Sequence, residues 1–132
     1  MATYNKFNAW AETMVEGANL ATDQFVIALT NSAPVATNSV LADITQISYT
    51  NLSSRNVSTT SASQTGGTFT LVLADLVMTA SGSVGPFRYV VLFDDTVAGD
   101  PLVGWWDYGS SITMANTETF TVDFTGAAIT LS

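Results

Sequence analysis

The chain has 132 residues and a formal net charge of −8, and it is 47% hydrophobic but only 11% charged. That length suits one domain, and so large an apolar share at so little charge excludes a natively disordered chain. The cations Lys6, Arg55 and Arg88 are scattered along the sequence, which excludes a basic patch for nucleic acid and offers nothing to an anionic membrane surface.

The first segment reads as a helix over residues 4–16. Phe7, Trp10, Ala11, Met14 and Val15 fall at helical spacing along one face, Thr3 or Asn5 can cap the start, and Gly17 stands where the helix should stop. Beyond Gly17 the pattern changes to period two. Phe25, Ile27 and Leu29 alternate with Val26, Ala28 and Thr30, as in a buried strand. A loop with Pro34 follows, and then Leu41, Ile44 and Ile47 suggest a short helical turn capped by Ser39.

Residues 48–67 form the most polar stretch, rich in Ser and Thr with no acid and the single cation Arg55. Apolar residues are too sparse there to offset the ordering entropy of an isolated arm. Gly66-Gly67 signals a hairpin that pairs Val57–Ser63 with Thr68–Leu73, placing Phe69, Leu71 and Leu73 on one face. Leu76–Ala80 is another short strand. Phe87–Asp94 is apolar on both faces apart from Arg88, the mark of a strand covered on both sides. It forms a hairpin with Leu102–Tyr108 through a turn containing Asp94, Asp95 and Asp100. Thr119–Thr125 alternates Phe120, Val122 and Phe124 with Thr121 and Asp123, and Ile129–Leu131 closes the chain. One N-terminal amphipathic α-helix followed by about eight short strands predicts a mainly β fold, a single β-sandwich or barrel-like domain.

Candidate chemistry is thin. The chain has no His and no Cys, which excludes Ser-His-Asp and Cys-His nucleophiles, a disulfide framework and most zinc sites. Neither Gly-rich phosphate motif occurs, and no pair of carboxylates sits in a recognisable catalytic constellation. No catalytic residue, cofactor or metal is therefore expected. Calcium wants about six to eight oxygen ligands, and the spacing of Asp94, Asp95 and Asp100 does not match an EF-hand, so the turn reads as solvated. Arg88, in the most apolar strand, needs a carboxylate partner, with Asp107 or Asp94 as candidates for a structural ion pair. Trp105 and Trp106 are adjacent in a strand and must point to opposite faces. One belongs to the core; the other is either an exposed anchor for protein or sugar, or core as well. No signal peptide pattern and no apolar run of about 18 residues is visible, so synthesis in the cytoplasm without a membrane span is expected.

Several stretches, TYNKFNAWAETM, FVIALTNSAPVATNSVLADITQI, GPFRYVVLFDDT, PLVGWWDYGSSITM and ETFTVDF, together resemble a family of small virion structural proteins from tailed bacteriophages and prophages. The resemblance covers most of the chain and departs most over Ser48–Gly67, and the segments GPFRYVVL and GWWDYGSS are its most specific parts. It implies a head-associated protein of the virion. The expectation is a capsid decoration or cement protein on the outer surface of the head, made in the host cytoplasm, with the major capsid protein and copies of itself as partners, a trimer being one arrangement. Neither nucleic acid nor membrane is an expected partner. Leu52, Arg55 and Val57 in the polar arm, together with Trp105 and Trp106, are the expected protein–protein contacts. A tail-tube or head–tail joining protein is the alternative in the same class, and a receptor- or glycan-binding module on the virion is the alternative in another.

Overall fold

The computed structural model describes residues 2–125 and 129–131. The chain runs β1 (Tyr4–Lys6), α1 (Trp10–Glu16), β2 (Phe25–Thr30), β3 (Asn56–Val57), β4 (Thr59–Thr65), β5 (Thr68–Leu73), β6 (Leu76–Thr79), β7 (Val84–Asp94), β8 (Leu102–Met114), β9 (Thr119–Val122) and β10 (Ile129–Leu131). The fold is mainly β with one short N-terminal helix.

The strands form a five-stranded sheet in the order β1-β8-β7-β2-β3, a three-stranded sheet β10-β5-β4 and a two-stranded sheet β6-β9, with every pairing antiparallel. Alternation decides how they pack. Ile27 and Leu29 of β2, Val90 and Leu92 of β7 and Trp106 of β8 share the inner face of the large sheet. They meet Leu71, Leu73, Met78, Val122, Phe124 and Ile129 from the two smaller sheets in the main core. The opposite parity builds a second, smaller core from Phe7, Val26, Ala28, Val91, Phe93 and Leu102, closed by Ile44 and Leu41 from the loop after β2. All six residues of β2 are therefore buried, and β7 is apolar on both faces because both faces are covered.

Three expectations are corrected. The helix does not span residues 4–16: Tyr4–Lys6 is an edge strand whose Tyr4 lies opposite Trp106, so only the turns from Trp10 are helical. Ala9, not Thr3 or Asn5, stands at the helix start, without a side-chain cap. Of the predicted stripe, Trp10 is fully buried and Met14 half-buried, while Ala11 is exposed and Val15 is 71% exposed. The turn after Pro34 is a single 3₁₀ turn at Leu41–Asp43, and Ser39 does not cap it. Instead the Asp43 carboxylate reaches back to accept from the backbone N–H groups of Ser39 (2.9 Å) and Val40 (3.3 Å), which holds its carboxyl below the usual range. Finally, β8 continues to Met114, beyond the expected end at Tyr108. Gly109 takes φ +86° within it, and polar Ser110 and Ser111 hide the strand pattern there.

Candidate interaction surface

Strand β8 places Trp105 and Trp106 on opposite faces, as period two requires. Trp106 enters the main core, with ring centroids 5.2 Å from Tyr4 and 5.5 Å from Phe124. Burial there pushes the Tyr4 hydroxyl well above its usual range. Trp105 faces the smaller core, half-buried, with the Phe7 ring tilted against it at 4.6 Å. Trp106 is thus corrected from contact residue to core residue.

The polar arm is fastened in the same way. Val57 lies opposite Phe25 and is buried, so it too is core and not a surface contact. Leu52 bridges to Ala80 and is half-buried against the main core. The Arg55 guanidinium donates to the Ile27 carbonyl at 2.6 Å and lies 3.6 Å over the Tyr49 ring. The Tyr49 hydroxyl accepts from the Leu29 N–H (2.9 Å) and donates to Gln46 Oε1 (2.7 Å). Residues 48–57 therefore cover the edge of β2. The sequence concealed this because the groups they satisfy are main-chain atoms about twenty to thirty positions earlier, as the Tyr49 and Arg55 bonds illustrate.

Arg88 pairs with Asp107 through two bonds, Nε to Oδ1 at 2.8 Å and Nη2 to Oδ2 at 3.1 Å. The pair is not buried as the apolar strand suggested: the side chains are 38% and 41% exposed. Register shifts on either side of Phe87 bend β7 and turn Arg88 outward. The guanidinium and the Gly109 N–H hold the Asp107 carboxyl below its usual range. Hydrated on this scale, the pair contributes little stability.

The acidic turn is not simply solvated. Asp95 is exposed, but Asp94 is fully buried at the end of β7, on the inner face opposite Phe25. Its Oδ1 accepts from the N–H groups of Thr96 (3.0 Å) and Val97 (3.4 Å), while Oδ2 has no donor. Its carboxyl lies within hydrogen-bonding reach of Asp23, itself buried, whose Oδ2 accepts from the Asn19 N–H at 3.0 Å. Burial, followed by the hydrogen bond to Asp23 and Asp23's charge, pushes the Asp94 carboxyl up to about 7. Among the described residues, no three acidic, His or Cys side chains gather where they could hold a metal ion.

What stands out at the surface is an absence of charge over one region. From Asn56 through Ala74 the chain carries no ionisable side chain, although it has eleven acids elsewhere. This segment forms β4 and β5. Alternation sends Phe69, Leu71 and Leu73 inward and leaves Ser61, Ser63, Thr65, Thr68, Thr70 and Val72 outward. Val72 on this face is 43% exposed; on the opposite face Leu131 of β10, paired with Phe69, is 39% exposed. Leu131 borders a shallow groove that Met14, Ala18, Leu20 and Phe69 also line. The signal was present in the sequence as an acid-free Ser/Thr stretch; what it lacked was the pairing that makes the stretch one continuous face. No family model, no curated protein and no solved structure matches this chain.

Proposed function

We propose that this chain is a non-enzymatic structural protein of a tailed-bacteriophage particle, a decoration protein that binds the outer surface of the head and bridges neighbouring subunits of the major capsid protein. The observation that carries this reading is the uncharged β4–β5 face on an otherwise acidic chain. A surface meant for water normally mixes charges of both signs. A face of hydroxyls with a partly exposed Val72 suits one that neighbouring proteins cover. The acids lie elsewhere in the sequence, and an acidic surface suits the outside of a shell, away from packaged DNA. The sequence resemblance supports the particle setting. Copies would sit in closed symmetric clusters, since repeated assemblies favour closed symmetry.

The glycan-binding reading needs an open indole face. Trp106 and Trp10 are buried, which leaves that reading only the half-buried Trp105, with Phe7 tilted against it.

The test mixes the purified chain with capsid shells lacking it. The expected result is co-sedimentation that saturates at a fixed number of copies per shell and raises the shell's melting temperature. Self-assembly into tubes or rings, with no binding to shells, would overturn the decoration role and favour the tail-tube or head–tail joining alternative.

A further inference from the structure

An unpaired sheet edge presents a row of main-chain N–H and C=O groups that any other strand can pair with, and proteins normally blunt such edges by shortness or charge. Among the described residues, most strand edges are blunted in that way. Strand β1 has three residues and carries Lys6. Strand β3 has two residues and β10 has three. Strands β6 and β9 have four each, with Asp75 preceding the first and Glu118 and Asp123 flanking the second. Strand β8 beyond Trp106 is also unpaired on the side where β1 ends, but Asp107 and Gly109, at φ +86°, interrupt that edge. Strand β4 differs from all of these. It has seven residues, is paired by β5 on one side only, and carries no charge, no proline and no charged flank.

The register says which groups are free. The two-residue turn Gly66-Gly67, with φ of +60° and +89°, joins Thr65 to Thr68. In such a hairpin the closing pair exchanges both hydrogen bonds, and bonded and non-bonded pairs then alternate. Thr65, Ser63 and Ser61 therefore bond to β5, while Gln64 and Ala62 point their N–H and C=O groups out from the edge. An irregularity between Thr59 and Ser61 breaks the register at the far end. The regular stretch is thus Ser61–Thr65, and its centre is Ser63.

We infer that β4 is a self-association edge, at which a second copy of this chain pairs antiparallel about a twofold axis through Ser63 and joins the two three-stranded sheets into one. Ala62 of each copy exchanges both main-chain bonds with Gln64 of the other, and the two Ser63 side chains meet at the axis. Charge selects the occupant. Two copies, each with a net charge of −8, repel one another over most approaches. They meet with least repulsion where the sequence from Asn56 to Ala74 is neutral. A strongly basic partner would gain nothing from docking there and would be drawn to the acidic remainder instead. The contact is isologous, so it closes at two copies and does not propagate into a fibre.

The experiment is sedimentation velocity of the full chain, from about 10 µM to about 1 mM, the range in which small interfaces saturate. The wild-type chain is expected to pass from monomer to dimer and no further. Ser63 is exposed, so Ser63→Lys and Ser63→Glu should fold normally, which circular dichroism and thermal melting check. Each substitution sets two like charges opposite each other at the axis and should weaken association at least about tenfold. An equimolar mixture of S63K and S63E should recover the dimer as a heterodimer. A wild-type chain that stays monomeric throughout overturns the inference, as does a dimer that S63K and S63E leave unchanged or a mixture that fails to re-associate. A monomeric chain that still coats shells would overturn this edge pairing and leave the decoration role standing; a dimer that binds no shell would do the reverse.

Discussion

Asp94 and Asp23 form a buried acidic pair at the end of β7. Both carboxyls are buried, one Asp94 oxygen lacks a donor, and Asp94 titrates near 7 instead of its ordinary 3.8. A folded-state value raised above the unfolded one means that the folded chain binds the extra proton between the two. The stability this contributes is complete below about pH 4 and is lost as pH rises through about 7. Asp43, Asp107 and Asp123 act oppositely. Each is held below 3.8, so their contribution is present above that value and lost as pH falls beneath it. The melting temperature should therefore peak near pH 4, decline as pH rises to about 7 and level off beyond it. Asp94→Asn can accept the Thr96 and Val97 bonds and donate to Asp23 without ever ionising. It should flatten the decline and raise the melting temperature at pH 8 by a few degrees; a variant that melts lower than wild type at pH 8 would count against the shared proton.

At the scale of elements, β1 shows how a close approach decides structure. Gly104 lies opposite Lys6, and a Cβ there would overlap the Tyr4 ring and crowd the Asn5 carbonyl. Only glycine lets β1 lie this close to β8. Gly104→Ala should push β1 off the sheet, so that hydrogen exchange at Tyr4–Lys6 rises toward that of an unprotected chain while β2 and β7 keep their protection. Equal protection of β1 in the variant would show that the strand can shift and re-pair. The N-terminal segment departs from its sequence pattern for a related reason. Phe7, Trp10 and Met14 do follow helical spacing, but spacing cannot reveal that Tyr4 has a cross-strand partner about a hundred residues later, at Trp106. A tertiary pairing of this kind overrides local pattern.

For the whole molecule, the distribution of charge matters more than its sum. A net charge of −8 opposes any contact between copies, and screening relieves that opposition. Self-association through a neutral edge should therefore strengthen as salt rises from about 0.01 M to about 0.15 M, where the screening length falls from about 30 Å to about 8 Å. Association that weakened with salt would require an attractive charge contact, which β4 does not have.

Alternation, helical spacing, turn residues and the cost of burying charge identified the mainly β class, an N-terminal helix, the buried strand β2, the two-faced burial of β7, the Gly66-Gly67 hairpin and a carboxylate partner for Arg88, either Asp107 or Asp94. Each of these depends on neighbours in the sequence or on a single rule of burial, so a linear pattern can carry it. The candidate surface was legible only in part. Its missing acids were plain, but Val57 and Trp106 looked like contacts until Phe25, Tyr4 and Phe124 covered them. The ends of α1 and β8, the burial of Asp94 beside Asp23, and the open edge of β4 were decided by tertiary structure alone. They depend on which distant strand lies alongside, and side-chain order along one chain does not encode that directly; only the folded sheets, by covering some groups and leaving others bare, determine it.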